Sequence, residues 1–105
     1  MSFILATLIY AIRDDQVLML YRHKEPNLGL WIAPGGKIDP NESPRACAIR
    51  ELYEETGLRA LNPELRAVVT EVSPRPDWQW LMFIYRTQVE PGMINGDDRE
   101  GRLQW

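Results

Sequence analysis

Three glutamates, Glu51, Glu54 and Glu55, stand close together in the segment GKIDPNESPRACAIRELYEETGL, which runs from Gly36 to Leu58. A helix turns roughly 100° per residue, so their carboxylates share one face, bordered by Arg50 and Cys47. Ala48, Ile49, Leu52 and Tyr53 take the opposite side and are expected to pack. Ser43 before Pro44 is a helix start, because a serine oxygen caps free N–H groups and proline is tolerated at the first helical position. Gly57 after Thr56 is the matching stop, able to adopt the left-handed conformation. Carboxylates on adjacent turns repel one another until cations neutralise them. An all-oxygen set suits a hard ion, which points to Mg²⁺, with Mn²⁺ able to substitute. Just upstream, Pro34-Gly35-Gly36-Lys37 is expected to be a turn whose glycines let the backbone approach a metal or phosphate closely.

The spacing of Gly36, Glu42, Arg50, Glu51, Leu52, Glu54, Glu55, Gly57 and Leu58 fits the Nudix box at every specified position. The chain therefore resembles the Nudix hydrolases, which cleave nucleoside diphosphates linked to a further group X. The resemblance implies metal binding by Glu51, Glu54 and Glu55, with the carbonyl of Gly35 as a further ligand. It also implies that an Arg50–Glu42 ion pair braces the loop, and that water attacks a phosphorus of the pyrophosphate link. Glu51, Glu54 and Arg50 are the expected catalytic residues, and Glu51 or a later acid, Asp97, Asp98 or Glu100, is the candidate to orient the water. Arg22, with His23 and Lys24 beside it, is placed to meet terminal phosphates, and Lys37 and Glu100 complete the expected substrate contacts. Trp78 and Trp80 are candidates to stack on a base or to pack.

Leu20 to Trp31, followed by PGGK, is similar to the MutT-like sanitisers of oxidised purine triphosphates. That likeness implies an 8-oxo-dGTP-type nucleotide as substrate, giving the monophosphate and pyrophosphate. Two alternatives stay open at this point. One is a Nudix hydrolase of ADP-ribose or dinucleoside polyphosphates; the other is a catalytically silent module that binds a nucleotide or a protein.

With 105 residues, 45% of them apolar, the chain suits one domain with a core. A net charge of −3 argues against broad nucleic-acid binding, which needs basic surface. Cys47 is the single cysteine, so no internal disulfide forms and a reducing cytoplasm is the expected compartment. The apolar N-terminus lacks a basic leader and is too short to span a bilayer, so it is expected to be a buried strand rather than a membrane segment.

Strand-like runs cover Phe3 to Ile12, Val17 to Tyr21, Leu65 to Val72 and Trp80 to Val89. Arg13 to Gln16 has hairpin character, Leu61 to Pro63 reads as a connection, and Ser73 to Asp77 as a loop. Four to six strands and one helix predict a mixed sheet in an α/β chain, which the resemblance sharpens to the Nudix α/β/α sandwich. Its usual C-terminal helix is expected to be absent here, since the sequence ends at Trp105. Truncation, or a homodimer covering the apolar sheet face, is the expected explanation.

Overall fold

The computed structural model describes residues 3–25, 27–72, 76–95 and 101–105. Its central strand is β1 (Phe3–Arg13), an apolar run that pairs in parallel with β7 (Gln79–Val89) along one edge. On its other edge β1 pairs antiparallel with β2 (Gln16–Val17) and with β5 (Gly35–Lys37). The strand β6 (Ala60–Glu71) joins β7 antiparallel and forms the outer edge. A second sheet holds β4 (Trp31–Ile32), β3 (Met19–Arg22) and β8 (Gly101–Gln104). The expected mixed sheet is thus present, and one α-helix, α1 (Pro44–Thr56), accompanies it among the described residues.

Three expectations about the strands and turns are corrected first. The run from Val17 to Tyr21 is not one strand, because the chain leaves the first sheet and enters the second at Leu18, whose side chain is fully buried. Leu61 to Pro63 is not a connection but part of β6, where register shifts and a left-handed Asn62 absorb the irregular residues. Proline lacks an N–H to donate, and Pro63 is accommodated because β6 lies at the edge of its sheet. Finally, Gly35-Gly36-Lys37 is a strand rather than a bare turn. A Cβ on Gly35 would lie 2.0 Å from the Thr7 carbonyl oxygen, so only glycine lets β5 approach β1 this closely.

The helix α1 begins and ends as its residues dictate. Ser43 accepts a hydrogen bond from the Ala46 N–H, Pro44 opens the first turn, and Gly57 closes the last at φ 77°. Register sets Thr7, Ile9 and Ala11 of β1 beside Phe83, Tyr85 and Thr87 of β7 on one face of the sheet. Ala48 and Leu52 of α1 pack there, with Leu18 and Leu58 completing the cluster. Each large aliphatic side chain buried this way contributes about 1.5–3 kcal/mol. Tyr53, expected to pack, is instead 48% exposed, with the Arg59 guanidinium 4.6 Å above its ring. Cys47 does border the acidic face, with Arg50 Nη2 3.7 Å from its Sγ, and its side chain is fully buried.

Candidate active site

Because α1 packs through Ala48 and Leu52, its next face, carrying Arg50, Glu51 and Glu55, is turned toward β5. The Glu51 carboxylate lies so close to Gly36 that a Cβ there would come within 2.7 Å of it. Glu55 Oε2 accepts the Gly35 N–H at 2.9 Å. The glycine strand and two of the three glutamates are therefore brought into direct contact.

Arg50 organises the remainder. Its Nε and Nη2 donate to the two oxygens of Glu42 at 2.7 and 3.0 Å, a forked pairing that makes use of the planar guanidinium. Its Nη1 donates to Glu51 at 2.7 Å and to Glu54 at 3.1 Å, while Asp39 lies 3.4 Å from Nη2. Nη2 also reaches the Lys37 carbonyl at 3.3 Å, tying the helix to the end of β5. One positive charge faces four carboxylates. Arg50 holds the Glu42 carboxyl well below its ordinary value, at about 2, chiefly through their hydrogen bond and then through the Asp39 N–H. The same bond to Glu42 raises Arg50 above its already high value.

Cys47 Sγ is 3.4 Å from Thr7 Oγ1 and 3.5 Å from the Lys37 carbonyl oxygen, and burial pushes the thiol up. A buried, protonated thiol is a packing group rather than a nucleophile.

Beside this cluster lies a cavity of about 220 Å³ between the two sheets. Gly35, Gly36 and Glu55 line it, as do Arg22 from β3 and Trp78 and Trp80 beside and within β7. Leu20 and Ile32 of the small sheet, and Ala6, Leu8 and Met82 of the large one, supply apolar walls. Arg22 and both tryptophans thus reach one cavity, which their separation in the sequence does not reveal. His23 and Lys24 are exposed, with the His23 ring edge-on to Tyr21 at 5.9 Å, and neither lines the cavity. Lys37 is exposed at the end of β5 and does not line it either. Glu100, Asp97 and Asp98 lie outside the described residues. Three contributors escape the sequence: Asp39, as a fourth acid on Arg50, and Asn27 and Glu71, as cavity residues. A polar residue before a helix is the only signal that Asp39 offers, and Glu71 depends on its non-local pairing with Trp80.

Among the described residues no group of three His, Cys, Asp or Glu side chains is arranged to hold a metal ion as it stands. Glu51 and Glu54 instead converge on Arg50. The donor chemistry nevertheless suits a hard divalent cation: the candidate ligands are all oxygen, and carboxylates outnumber the guanidinium.

The NUDIX domain family model matches residues 3–105. The chain belongs to the Nudix family. It is 40% identical over 95 residues to an uncharacterized Nudix hydrolase, YvcI, of Bacillus subtilis (strain 168), covering 88% of this chain and 58% of that one. A putative 8-oxo-dGTP diphosphatase of the same strain is 32% identical over 98 residues, covering 92% of this chain and 62% of the other. The Nudix chain thus spans little more than half the length of these relatives. In structure it is similar to a MutT NUDIX hydrolase from Burkholderia pseudomallei, with a TM-score of 0.91 at 24% identity, over 100% of this chain and 83% of that one. Its mixed sheet and helix are those of the Nudix sandwich. Within that fold, α1 is the helix of the Nudix box and β5 the strand that leads into it.

Proposed function

We propose that this Nudix chain is a Mg²⁺-dependent pyrophosphohydrolase acting on a nucleoside triphosphate, with an 8-oxo-dGTP-type nucleotide as its preferred substrate. The observation that carries the reading is the continuity of the site. Gly35 and Glu55 belong both to the acidic helix–strand contact and to the cavity that holds Arg22, Trp78 and Trp80. The likeness to a putative 8-oxo-dGTP diphosphatase supports an oxidised purine.

Glu51, Glu54, Glu55 and the Gly35 carbonyl would hold the metal, which when bound neutralises phosphate oxygens and the charge that develops on them. For Glu54 to serve, it must give up its bond to Arg50, the longest of the three that Arg50 Nε and Nη1 make to Glu42, Glu51 and Glu54. Arg50 keeps its fork on Glu42 and so still fixes the loop before the helix. Arg22 meets the outer phosphates from the cavity wall, and Lys37 adds a cation at the rim of the acidic cluster. Glu51 orients a water molecule and accepts one proton from it. The water oxygen bonds to phosphorus as the bridging P–O bond breaks, leaving a nucleoside monophosphate and pyrophosphate. Positioned donors and charges of this kind commonly carry most of the rate enhancement.

The test is pyrophosphate and phosphate release in Mg²⁺ from ordinary and oxidised nucleoside triphosphates, ADP-ribose and dinucleoside polyphosphates, with Glu54→Gln alongside. The expected result is turnover of a purine triphosphate to monophosphate and pyrophosphate, reduced at least about a hundredfold by the substitution. Absence of turnover on every compound, or turnover that Glu54→Gln leaves intact, overturns the reading.

A further inference from the structure

Glu71 ends β6 directly opposite Trp80 of β7, and two residues earlier Val69 stands opposite Met82. Side chains two apart on a strand share a face, so Glu71 and Trp80 lie on the same face as Met82 and as its β1 partner, Ala6. That face lines the cavity, where Trp78 from the turn before β7 joins them. Directly opposed side chains have Cβ atoms about 5 Å apart, which sets the Glu71 carboxylate beside the Trp80 ring. The carboxylate makes no ion pair or side-chain hydrogen bond with any described residue, in contrast to Glu42, Glu51 and Glu54.

The other end of the cavity has a different chemistry. Gly35 and Gly36 belong to β5, three strand positions from β6 in the order β5-β1-β7-β6. At about 4.8 Å per strand the two strands lie roughly 14 Å apart. The glycines stand opposite Thr7 and Leu8 while Glu71 is in register with Ile4, so the stagger along the strands brings the backbone separation to roughly 18 Å, part of which the Glu71 side chain spans. This is the scale that separates a nucleotide's base from its outer phosphates. Aromatic rings stack on any base, whereas a carboxylate is selective, because when ionised it only accepts hydrogen bonds. Guanine presents two adjacent donors, N1–H and the 2-amino group, which match the two carboxylate oxygens. Adenine presents an acceptor, N1, beside its 6-amino donor, and sets a lone pair against one carboxylate oxygen.

We propose that Glu71 is a specificity-determining residue that selects a guanine-type edge, with Trp78 and Trp80 stacking on the ring. The inference rests on the nucleotide reading of the cavity given above and adds the base that it takes and the residue that reads it. Oxidation at C8 leaves the N1–H and 2-amino donors in place, so guanine and 8-oxoguanine satisfy Glu71 alike.

The experiment compares kcat/KM for dGTP, 8-oxo-dGTP, dITP and dATP in the full chain and in Glu71→Gln. Isothermal titration of dGMP and dAMP gives a readout independent of turnover. Glutamine donates as well as accepts, so it matches adenine better than guanine. The expected result is a preference for both guanine nucleotides over dATP, with dITP, which lacks the 2-amino group, in between. Glu71→Gln should lower kcat/KM for the guanine nucleotides by about tenfold to a hundredfold, the scale of losing hydrogen bonds to a charged group, and leave dATP unchanged or improved. Turnover without guanine preference, or a loss equal for all four nucleotides, overturns this inference while the pyrophosphohydrolase reading stands. Tighter binding of dGMP than of dAMP that Glu71→Gln abolishes, with no triphosphate turned over, does the reverse. Equal binding of the two monophosphates by the wild type removes it outright.

Discussion

Arg50 binds Glu42, Glu51 and Glu54 at 2.7–3.1 Å and has Asp39 at 3.4 Å, and the four pairs are not equivalent. The Glu42 pair is forked and 15% exposed on the glutamate side, whereas Glu54 is 57% exposed and single-bonded. Exposed single contacts contribute little to stability, so Arg50 acts mainly as the brace between Glu42 and the helix. The depressed Glu42 value fixes the sign of a pH effect. A carboxyl whose folded value is lowered from 4.5 to about 2 contributes stability that is present above the higher value and lost as pH falls toward the lower one. Glu42→Gln should therefore melt below the wild type at pH 6, and the gap should close between about pH 4.5 and pH 2. Thermal melts of both proteins across that range check this, and a gap that stays constant down to pH 2 contradicts it. The Arg50–Glu42 pairing was legible through the resemblance to the Nudix box. The approach of Asp39 was not, because it depends on how the loop before α1 folds back.

At the scale of elements, the helix was read to its ends from Ser43, Pro44 and Gly57, since caps are local chemistry. The strands show where local reading stops. Asn62-Pro63 carries turn chemistry, yet an edge strand tolerates both a left-handed residue and a missing N–H. Gly35-Gly36 likewise looks like a turn, and only the close approach to Thr7 reveals why glycines build a strand there. Nothing in the sequence announces that Leu18 moves the chain from one sheet to the other, because its burial depends on both. The end of α1 allows a measurement at this scale. Gly57 stands at φ 77°, and a Cβ added there would meet Asn95 at 3.2 Å. Gly57→Ala should cost about 1–2 kcal/mol from the left-handed conformation. Crowding against Asn95 adds to that cost, whereas a position facing open space would show the backbone cost alone. Chemical denaturation of the variant measures it, and a loss below about 0.5 kcal/mol shows that the cap relaxes.

Across the whole molecule the charges are unevenly placed. The chain carries a net charge of −3, and the four carboxylates around Arg50 exceed it by the same amount, so the remaining residues are close to balanced. Repulsion is thus concentrated where α1 meets β5, next to the cavity that the two sheets share. Removing one acid from such a cluster relieves repulsion at the cost of a weak exposed contact, so Glu54→Gln should melt at or above the wild-type temperature without divalent cations. A bound divalent cation would relieve the same repulsion in the wild type and stabilise the folded state by mass action. That gain is about 2.7 kcal/mol at a hundredfold excess over Kd, which for a domain of this size is a rise of roughly 10–20 °C. Mg²⁺ should accordingly raise the wild-type midpoint more than NaCl of equal ionic strength, because general screening acts on both salts alike. Glu54→Gln, lacking one of the ligands, should lose most of the Mg²⁺-specific increment while retaining the response to NaCl. Thermal melts of the two proteins in matched salts decide the matter. Equal rises with Mg²⁺ and NaCl in the wild type would reduce the acidic face to a screened surface, and an undiminished Mg²⁺ increment in the variant would remove Glu54 from the ligand set.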